Sequence, residues 1–446
     1  MNQNPNQQNQ DIYNIACLGS GYTAGLTMIM MAFHCDVVIT MLDVDNEDID
    51  DWEAGIIPFD EPNFEHMFDQ VRNVRLMFGQ SNNIAAALNT ADFIVIAVDN
   101  PIQRIKKKNT LNLTKWKDSW EQVAMHAPDK LNPTVVYNPE FYSLGTAFND
   151  LQNPRQVIFG GDAQILNGPL FHNVRKLMYW VDQNAVFRYH DIKSVVLAKL
   201  GINGLLASKL SILNSIASIS AAVEADMNTI MEIMGRDQRL GPTYLTPGIG
   251  FGGPSLERDT RLLCHVAQNK GLLKEEQIYT KVLENNEAAE KRFVNMVVDK
   301  MNGTTNKTIA IFGLASKHGI SDLTNSPAIQ VCKLLLDHDV YLRIYDLYVP
   351  NAHILGNFRR GVQERVVVAT SPVQAATNAS AICLLTDCDA YQHGGIQFYN
   401  QLFAVMTQPS YIFNGRQNSG INWQDVANIG FSIHAVGRPS RGLGFE

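Results

Sequence analysis

The stretch NIACLGSGYTAG, residues 14–25, decides the fold of the N-terminal part of this chain. It opens with an apolar run of strand type. A G-x-G-x-x-x-G motif beginning at Gly19 then leads into an apolar helical run as far as Phe33, and Ala24 occupies the last place of the stricter G-x-G-x-x-A form. Such glycines allow a tight turn and let a pyrophosphate approach the N-terminus of the helix. The motif predicts dinucleotide contacts at Gly19, Gly21, Tyr22 and Thr23.

The residues that follow complete the pattern of a nucleotide-binding domain. A second strand, Val37–Leu42, ends at Asp43, where such domains place an acid that accepts hydrogen bonds from ribose hydroxyls. Residues 91–98, ADFIVIAV, form a further buried strand. The order predicts a Rossmann-like domain in which Asp43 also binds the cofactor. The alternative is a doubly wound domain that binds no nucleotide.

Composition is that of an ordinary globular protein. The 446 residues suggest about three domains, and 46% hydrophobic with 18% charged residues provides material for a sizeable core. The net charge of -8 argues against nucleic acid as a partner. The six cysteines lack the spacing of metal ligands and mostly lie in apolar runs, which predicts buried reduced thiols and no metal site.

The N-terminal segment, residues 1–11, is polar and of low complexity, which predicts a disordered tail. It contains no apolar segment of the kind found in secretory signals. We also expect no uninterrupted apolar run long enough to span a bilayer. These features predict a cytoplasmic protein without a membrane partner.

A second glycine-dense stretch, GIGFGGPSLERD at residues 248–259, bears on the chemistry. Glycine lets a backbone approach a ligand closely, although a plain loop is the simpler interpretation. The stretch resembles the signature of the UDP-glucose/GDP-mannose dehydrogenase family, G-F-G-G-S-C-x-x-K-D. Ser255 stands at the place of the family's catalytic cysteine, Pro254 replaces the preceding serine, and Arg258 replaces the lysine. The resemblance implies substrate contacts at Phe251 and Gly252 and catalytic positions at Ser255 and Asp259.

A third motif, NPEFYSLGTAFND at residues 138–150, resembles the family's N-P-E-F-L-x-E-G-x-A-x-x-D. Glu140 is retained and is implied to act as a general base, whereas the family's second glutamate is Leu144 here. The family normally carries a further strand, loop and helix after the helix that we predict at 113–126. That block lies against the cofactor and is largely missing from this chain. The family's water-positioning threonine is Asn100.

Residues 191–226 show apolar positions at helical spacing over an unusual length, which is typical of a spine between domains or of a dimer interface. Lys199 and Asn203 are spaced i, i+4 and so share one face. A snorkelling surface lysine is the simple interpretation of Lys199, but the family keeps a catalytic lysine and asparagine as K-x-x-x-N. Arg239, in GRDQRLG, matches the arginine of the family's D-x-R-I-G, which reaches the nucleotide sugar from a neighbouring subunit.

The C-terminal part repeats the layout of the N-terminal part. Its strands TIAIFG, YLRIYD and ASAICLLTD parallel NIACLG, ITMLDVD and ADFIVIAVD, which predicts a second Rossmann-like domain. Its first loop resembles the family's G-L-A-F-K-x-x-T-x-D-x-R-x-S-P, where UDP or GDP binds. Thr324 replaces the arginine, Ser316 the aromatic residue, and Asn414 the aspartate of a later D-G-R. The resemblance implies that the substrate contacts Lys317 and Arg416.

The resemblance covers nearly the whole chain and implies NAD as cofactor and a UDP-sugar as substrate. In the family, two hydrides leave C6 of the sugar, and the cysteine holds the aldehyde and then a thioester that is hydrolysed. A thiolate suits both steps, whereas a serine hydroxyl is a far weaker acid and needs an adjacent base. Ser255 as a loop hydroxyl without chemistry is therefore the favoured interpretation. Lys199 and Asn203 can still stabilise an oxyanion, and Asp259 and Glu140 can orient or deprotonate a water.

The predicted fold is α/β, with two Rossmann-like doubly wound domains joined by a long central helix. The expected boundaries are a tail at 1–11, a shortened NAD-binding-type domain at 12–190, a central helical dimerisation domain at 191–300, and a UDP-sugar-binding-type domain at 301–446.

Two functions of different classes remain open. The altered residues and the missing block favour a dehydrogenase-like protein with impaired or lost catalysis and weak or lost NAD binding. It would have a binding or assembly role, as a homodimer or higher homo-oligomer or together with an active paralogue. The retained glycine motif and Asp43 favour an active NAD-dependent dehydrogenase that oxidises UDP-glucose to UDP-glucuronate. The number of altered positions favours the first.

Overall fold

The chain is described here from a computed structural model, and every structural statement concerns the residues it describes, which are 12–43, 46–59, 61, 63–80, 83–97, 102–103, 110–111, 136–166, 168–178, 180–181, 186–388, 391, 394–416 and 421–438. The predicted tail at 1–11, the helix predicted at 113–126 and Asn100 lie outside them. The chain divides into two compact units, the first ending at Lys199 and the second beginning at Leu200.

The first unit is built on a parallel sheet of four described strands in the order β3-β2-β1-β4. These strands are β1 (Tyr13–Leu18), β2 (Val37–Leu42), β3 (Leu76–Gly79) and β4 (Phe93–Ile96). Because β1 lies between β2 and β4, the order reverses beside β1, which is where doubly wound sheets bind ligands. Two small sheets pair β5 (Ile102–Gln103) with β6 (Thr110–Leu111) and β7 (Gln156–Gly160) with β8 (Val186–His190).

The described helices of the first unit are Tyr22–His34, Asn46–Ala54, Glu65–Val71, Ile84–Thr90, Ala147–Gln152, Ala163–Leu166 and Pro169–Lys176. The first of them is apolar almost throughout and supplies Met28, Ile29 and Met30 to the core, all fully buried. Trp52 packs against it and is also fully buried. Gly25 makes this contact possible, since a Cβ there would lie 2.6 Å from the Trp52 ring.

The second unit carries a six-stranded parallel sheet in the order β11-β10-β9-β12-β13-β14. The strands are β9 (Thr308–Phe312), β10 (Tyr341–Tyr345), β11 (Val366–Val368), β12 (Ala381–Leu384), β13 (Tyr411–Asn414) and β14 (Ser432–Ala435). Ile311 on the central β9 stands opposite Ile344 of β10 and Cys383 of β12, and all three are fully buried. The described helices of this unit are Met227–Arg236, Leu256–Asn269, Leu273–Lys300, Pro327–Leu336, Asn351–Gly356, Arg360–Gln363, Pro372–Ala376, Gly395–Val405 and Trp423–Ile429.

A single helix, Ile192–Ala222, runs for 31 residues across the boundary between the units. The prediction of two Rossmann-like domains with a long central helix is therefore confirmed, while the exact domain boundaries stay predictions. The predicted repeat is also seen in hydrogen bonding. The amide of Ser20 donates to Asp43 after β2, and the amide of Leu314 donates to Asp346 after β10.

By length and composition the central helix is also able to cross a membrane, with 33% of its most apolar window buried in the chain. Lys199 and Lys209 interrupt the apolar pattern of this helix, so it does not contradict the expectation that no uninterrupted apolar run is long enough to span a bilayer. The absence of a membrane partner stays a prediction.

The exposed apolar side chains of the central helix predict a dimer. Leu205, Ile212 and Ile219 recur every seven residues and are 70%, 59% and 61% exposed, so they form one stripe along the helix. Sedimentation velocity at micromolar concentration is expected to show a dimer, and Ile212→Glu is expected to shift it to monomer. Val74→Glu, at an exposed residue in a turn of the first unit, is the control and should sediment like the natural protein. A natural protein that sediments as a monomer would contradict the prediction.

Candidate functional site

The glycine loop of the first unit lies at the carboxyl end of β1, beside the reversal of strand order. Gly19 has φ 117°, a conformation that favours glycine, and its amide donates to the carbonyl of Leu42 at 2.8 Å. Gly21 is the N-cap of the helix Tyr22–His34 and makes no side-chain cap hydrogen bond. The first amides of this helix thus have no side chain capping them, which suits an anion.

Asp43 is held beside that loop. Its Oδ2 accepts hydrogen bonds from the amide and the hydroxyl of Ser20, at 3.0 and 2.9 Å. Ser20 is also fixed through its carbonyl, which accepts a hydrogen bond from the indole of Trp52 at 3.0 Å. An uncapped helix start, a glycine with positive φ and an acid after the next strand together fit a dinucleotide, with Asp43 placed to accept from a ribose.

A second part of the site in this unit surrounds Glu140. Its Oε1 accepts from the Thr27 hydroxyl at 2.8 Å and its Oε2 from the Tyr142 hydroxyl at 2.6 Å. Burial raises the pKa of this carboxyl, and the bonds from Tyr142, Thr27 and Thr23 and the charge of Lys199 oppose the rise. A partly buried carboxyl with a raised pKa and fixed orientation is suited to accept a proton.

Lys199 belongs to the same cluster. Its Nζ donates to the backbone carbonyl of Glu140 and lies 5.1 Å from the centroid of the Phe141 ring. The interpretation of Lys199 as a snorkelling surface lysine is therefore wrong, because its ammonium group is held by hydrogen bonding. Within the first unit the structure thus brings together Glu140 and Lys199, two of the residues predicted to be catalytic.

The second unit holds Asn203 and Asp259 together. Asn203 donates from Nδ2 to Asp259 Oδ2 at 2.5 Å, and Arg258 forms a salt bridge with Asp259 Oδ1 at 2.8 Å. Asp259 is 2% exposed, so both carboxylate oxygens are engaged by side chains in a buried setting. This arrangement suits Asp259 to orient Asn203 better than to deprotonate a water.

Ser255 is the residue immediately before the helix Leu256–Asn269 and is partly exposed. Its side chain makes no cap hydrogen bond, and among the described residues no base or other group is hydrogen-bonded to its hydroxyl. The preceding Pro254 is exposed. Nothing described within the unit activates Ser255 as a nucleophile.

The second glycine loop is dense in glycine because protein backbone approaches it closely. A Cβ on Gly252 would lie 2.4 Å from the carbonyl oxygen of Asn325, and the amide of Gly253 donates to the carbonyl of Thr324 at 3.1 Å. Gly250 has φ 128°. The glycines thus serve packing inside the second unit, so their number is no measure of ligand contact.

Phe251 is tied into the same packing. Its amide donates to Asn286 Oδ1 at 2.8 Å and its carbonyl accepts from Asn286 Nδ2 at 3.0 Å, while its ring lies in a core cluster with Ala207 and Val282. The residue as a whole is 6% exposed and both of its backbone polar groups are bonded to Asn286, so the structure gives no support to a substrate contact by Phe251, which stays a prediction.

The predicted substrate residues of the second unit occupy different settings. Lys317 lines a small pocket at the carboxyl end of β9, and Asp346 and Asp387 also line it. Arg416 is directed inward, and its Nε donates to the Leu385 carbonyl at 2.9 Å. Arg239 lies on the surface, with its side chain 88% exposed and paired to Asp237, and its contact with a substrate in a neighbouring subunit stays a prediction.

Several residues that organise these settings were not singled out from the sequence. Tyr142 could have been found from the sequence, because it departs from the family pattern, which has leucine at this position. Asn214 and Asn286 carried only the weak signal of a polar residue within a helical apolar pattern, yet Asn214 Oδ1 accepts from the amide of Gly248 at 2.8 Å. No disulfide joins the six cysteines, and five of them are buried, as predicted. The described residues contain no cluster of three potential metal ligands.

Three domain models of one family match the chain in order. They are the NAD binding domain (residues 13–133), the central domain (residues 193–288) and the UDP binding domain (residues 310–419) of the UDP-glucose/GDP-mannose dehydrogenase family. These matches confirm the predicted family, the predicted cofactor NAD, and a nucleotide-sugar ligand at the level of the domain type.

Similar proteins extend over the whole chain. UDP-glucose 6-dehydrogenase 2 of Arabidopsis thaliana is 27% identical over 95% of this chain and 97% of its own length, and UDP-glucose 6-dehydrogenase of Mus musculus is 28% identical over 96% and 94%. A UDP-glucose dehydrogenase structure from Pyrobaculum islandicum superposes with TM-score 0.80 at 19% identity, covering 98% of this chain and 100% of that one. A UDP-D-ManNAc dehydrogenase from Pyrococcus horikoshii gives 0.76 at 20% identity, covering 96% and 100%.

Proposed function

Since the chain belongs to the UDP-glucose/GDP-mannose dehydrogenase family, we propose that it is a divergent UDP-glucose 6-dehydrogenase-like protein with a binding or assembly role. It binds a UDP-sugar, and its complete oxidation to the acid is lost or severely slowed. It works in the cytoplasm as a homo-oligomer or beside an active paralogue.

The observation that carries this proposal is Ser255. It stands at the position of the family's cysteine, and its hydroxyl has no base hydrogen-bonded to it among the described residues of its unit. A nucleophile for this reaction must attack an aldehyde and later leave from an acyl group. A serine hydroxyl is a poor nucleophile unless a base removes its proton, and an alkoxide is a poorer leaving group than a thiolate. The yield of NADH per UDP-glucose consumed is the direct test.

A second function, active NAD-dependent oxidation of UDP-glucose to UDP-glucuronate, is favoured by a different observation. Glu140 with Lys199 keeps a partly buried hydrogen-bonded position, and Asn203 with Asp259 keeps a buried one. NAD, when bound, supplies the hydride acceptor. In such an enzyme Lys199 and Asn203 stabilise negative charge on the sugar oxygen, and Glu140 accepts the proton.

The cofactor site supports a quantitative prediction about affinity. Gly19, Gly21, Tyr22, Thr23 and Asp43 fit NAD, but the block that lies against the cofactor in the family is largely missing from the sequence. We therefore expect calorimetric titration to give a Kd for NAD well above the low micromolar range, which is a binding free energy weaker than about −7 kcal/mol. Asp43→Ala, which removes the ribose acceptor, is the matched variant and should abolish the remaining heat.

A low micromolar Kd for the natural protein would contradict the argument from the missing block and would favour the active enzyme. Heat that persists unchanged in Asp43→Ala would place the binding at another site.

A further inference from the structure

Tyr142 is the residue of the first unit whose role goes beyond the family pattern. The pattern N-P-E-F-L-x-E has leucine at this place and glutamate two residues later, whereas this chain has Tyr142 and Leu144. This chain thus has a polar side chain at position 142, whereas the family pattern has one at the place of residue 144. In the structure the Tyr142 hydroxyl donates to Oε2 of Glu140 at 2.6 Å, which is a short hydrogen bond to a partly buried carboxyl.

The backbone that carries Tyr142 is anchored on both sides. Before it, Asn138 Nδ2 donates to the carbonyl of Ile158 at 2.8 Å. After it, the buried carboxylate of Glu61 accepts from the amides of Gly145 and Ala147, both at 2.8 Å. These hydrogen bonds hold the segment on both sides of Tyr142, so its phenol meets Glu140 in one preset geometry.

In the surroundings of Glu140, the Tyr142 phenol stays protonated and acts as a hydrogen-bond donor. Among the described residues of the first unit, the titratable or charged groups that face Glu140 are Cys17, Tyr22, Tyr142 and Lys199, and the hydroxyls of Thr23 and Thr27 also contact it. Burial raises the pKa of the Tyr142 phenol well above its ordinary value, so it keeps its proton at neutral pH. Its hydroxyl therefore donates to the carboxylate and is not itself the base.

We propose that Tyr142 is a positioning residue for Glu140, holding its carboxylate in one orientation and in the charged form that accepts a proton. The part of this proposal in which Glu140 accepts a proton during turnover rests on the proposed function. The coupling between the two side chains does not rest on it, and it is measurable without substrate or cofactor.

The test is the pH dependence of stability in a double-mutant cycle of Tyr142→Phe and Glu140→Gln. Removing the phenol hydroxyl raises the pKa of Glu140 further in the folded state, so the folded state binds the proton more tightly than the unfolded state. The stability lost in Tyr142→Phe should then grow as pH rises from about 4 to 8. We expect the unfolding constant to rise roughly tenfold more at pH 8 than at pH 4.5.

Urea unfolding followed by tryptophan fluorescence reports this change, because four of the five tryptophans precede residue 200. The pH-dependent part should vanish in the Glu140→Gln background. Tyr13→Phe is the matched control, since the Tyr13 hydroxyl has no hydrogen bond among the described residues, and its effect should not vary with pH. Tyr142→Leu, which restores the leucine of the family pattern, should reproduce the pH dependence and serves if Tyr142→Phe does not fold.

A loss in Tyr142→Phe that is equal at every pH, or one that persists with the same pH dependence in Glu140→Gln, would overturn the proposal. Absence of NADH production would refute the active-enzyme function and leave this result unaffected. If turnover is found, Tyr142→Phe should move the acidic limb of the kcat profile to higher pH, which a packing role alone would not do.

Discussion

Purified protein is expected to release far fewer than two NADH per UDP-glucose supplied, and Ser255→Cys alone is expected not to restore that yield. The natural Ser255 lacks the thiolate that traps the aldehyde and then leaves from the acyl group. Within its unit the structure shows no described group hydrogen-bonded to the hydroxyl, so no described base of that unit is placed to take its proton. The measurement is the absorbance of NADH against UDP-glucose consumed.

The variant is expected to fail because the surrounding site has changed as well. Pro254 removes a backbone amide from the residue just before the nucleophile position, where the family has serine. Arg258 replaces the family's lysine and forms a salt bridge with the buried Asp259. Groups that act as one unit are strongly non-additive, so repairing one member of an altered set recovers little of the rate.

Lys199→Ala provides the matched negative variant for this experiment. NADH that remains in Lys199→Ala does not come from the proposed centre, because Lys199 is held against Glu140. Two NADH per sugar from the natural protein would mean that Ser255 or another group carries the acyl intermediate. Full activity of Ser255→Cys would mean that the other substitutions matter less than we infer.

Gly252→Ala is expected to destabilise the second unit by about 1–3 kcal/mol. The added Cβ would lie 2.4 Å from the carbonyl oxygen of Asn325 and 2.7 Å from Cδ of Pro327. The nearest atom belongs to the backbone and is not the far end of a flexible side chain, so relief requires that a loop moves. Thermal unfolding should show the loss as a lower Tm.

Gly356→Ala is the matched control, because this exposed glycine at the end of the helix Asn351–Gly356 has no atom within 4 Å of an added Cβ. Its effect should stay within about 0.5 kcal/mol. Equal stability of the two variants would show that the loop yields without cost. In that case the glycine density of residues 248–253 would again point to a ligand.

The order of strands and helices was predictable because it depends on local patterns. Apolar runs of strand length that end in Gly19 and Asp43, and again in Gly313 and Asp346, are visible in the sequence and correspond to the observed carboxyl ends of β1, β2, β9 and β10. The catalytic roles of Lys199 and Asn203 were predicted from their spacing and from the family resemblance. Their present partners were not predictable, because Glu140 is 59 residues from Lys199 and Asp259 is 56 residues from Asn203.

The sequence by itself determined the fold class, the family, and the substitution of Ser255 for the expected cysteine, because each depends on the identity or the period of neighbouring residues. Only the tertiary structure decided that Phe251 faces the core, that Asn203 and Arg258 contact Asp259, and that Tyr142 donates a hydrogen bond to Glu140. These facts depend on close packing and on the hydrogen bonds of buried polar groups. Such contacts join residues that are distant in the chain, so no local pattern encodes them.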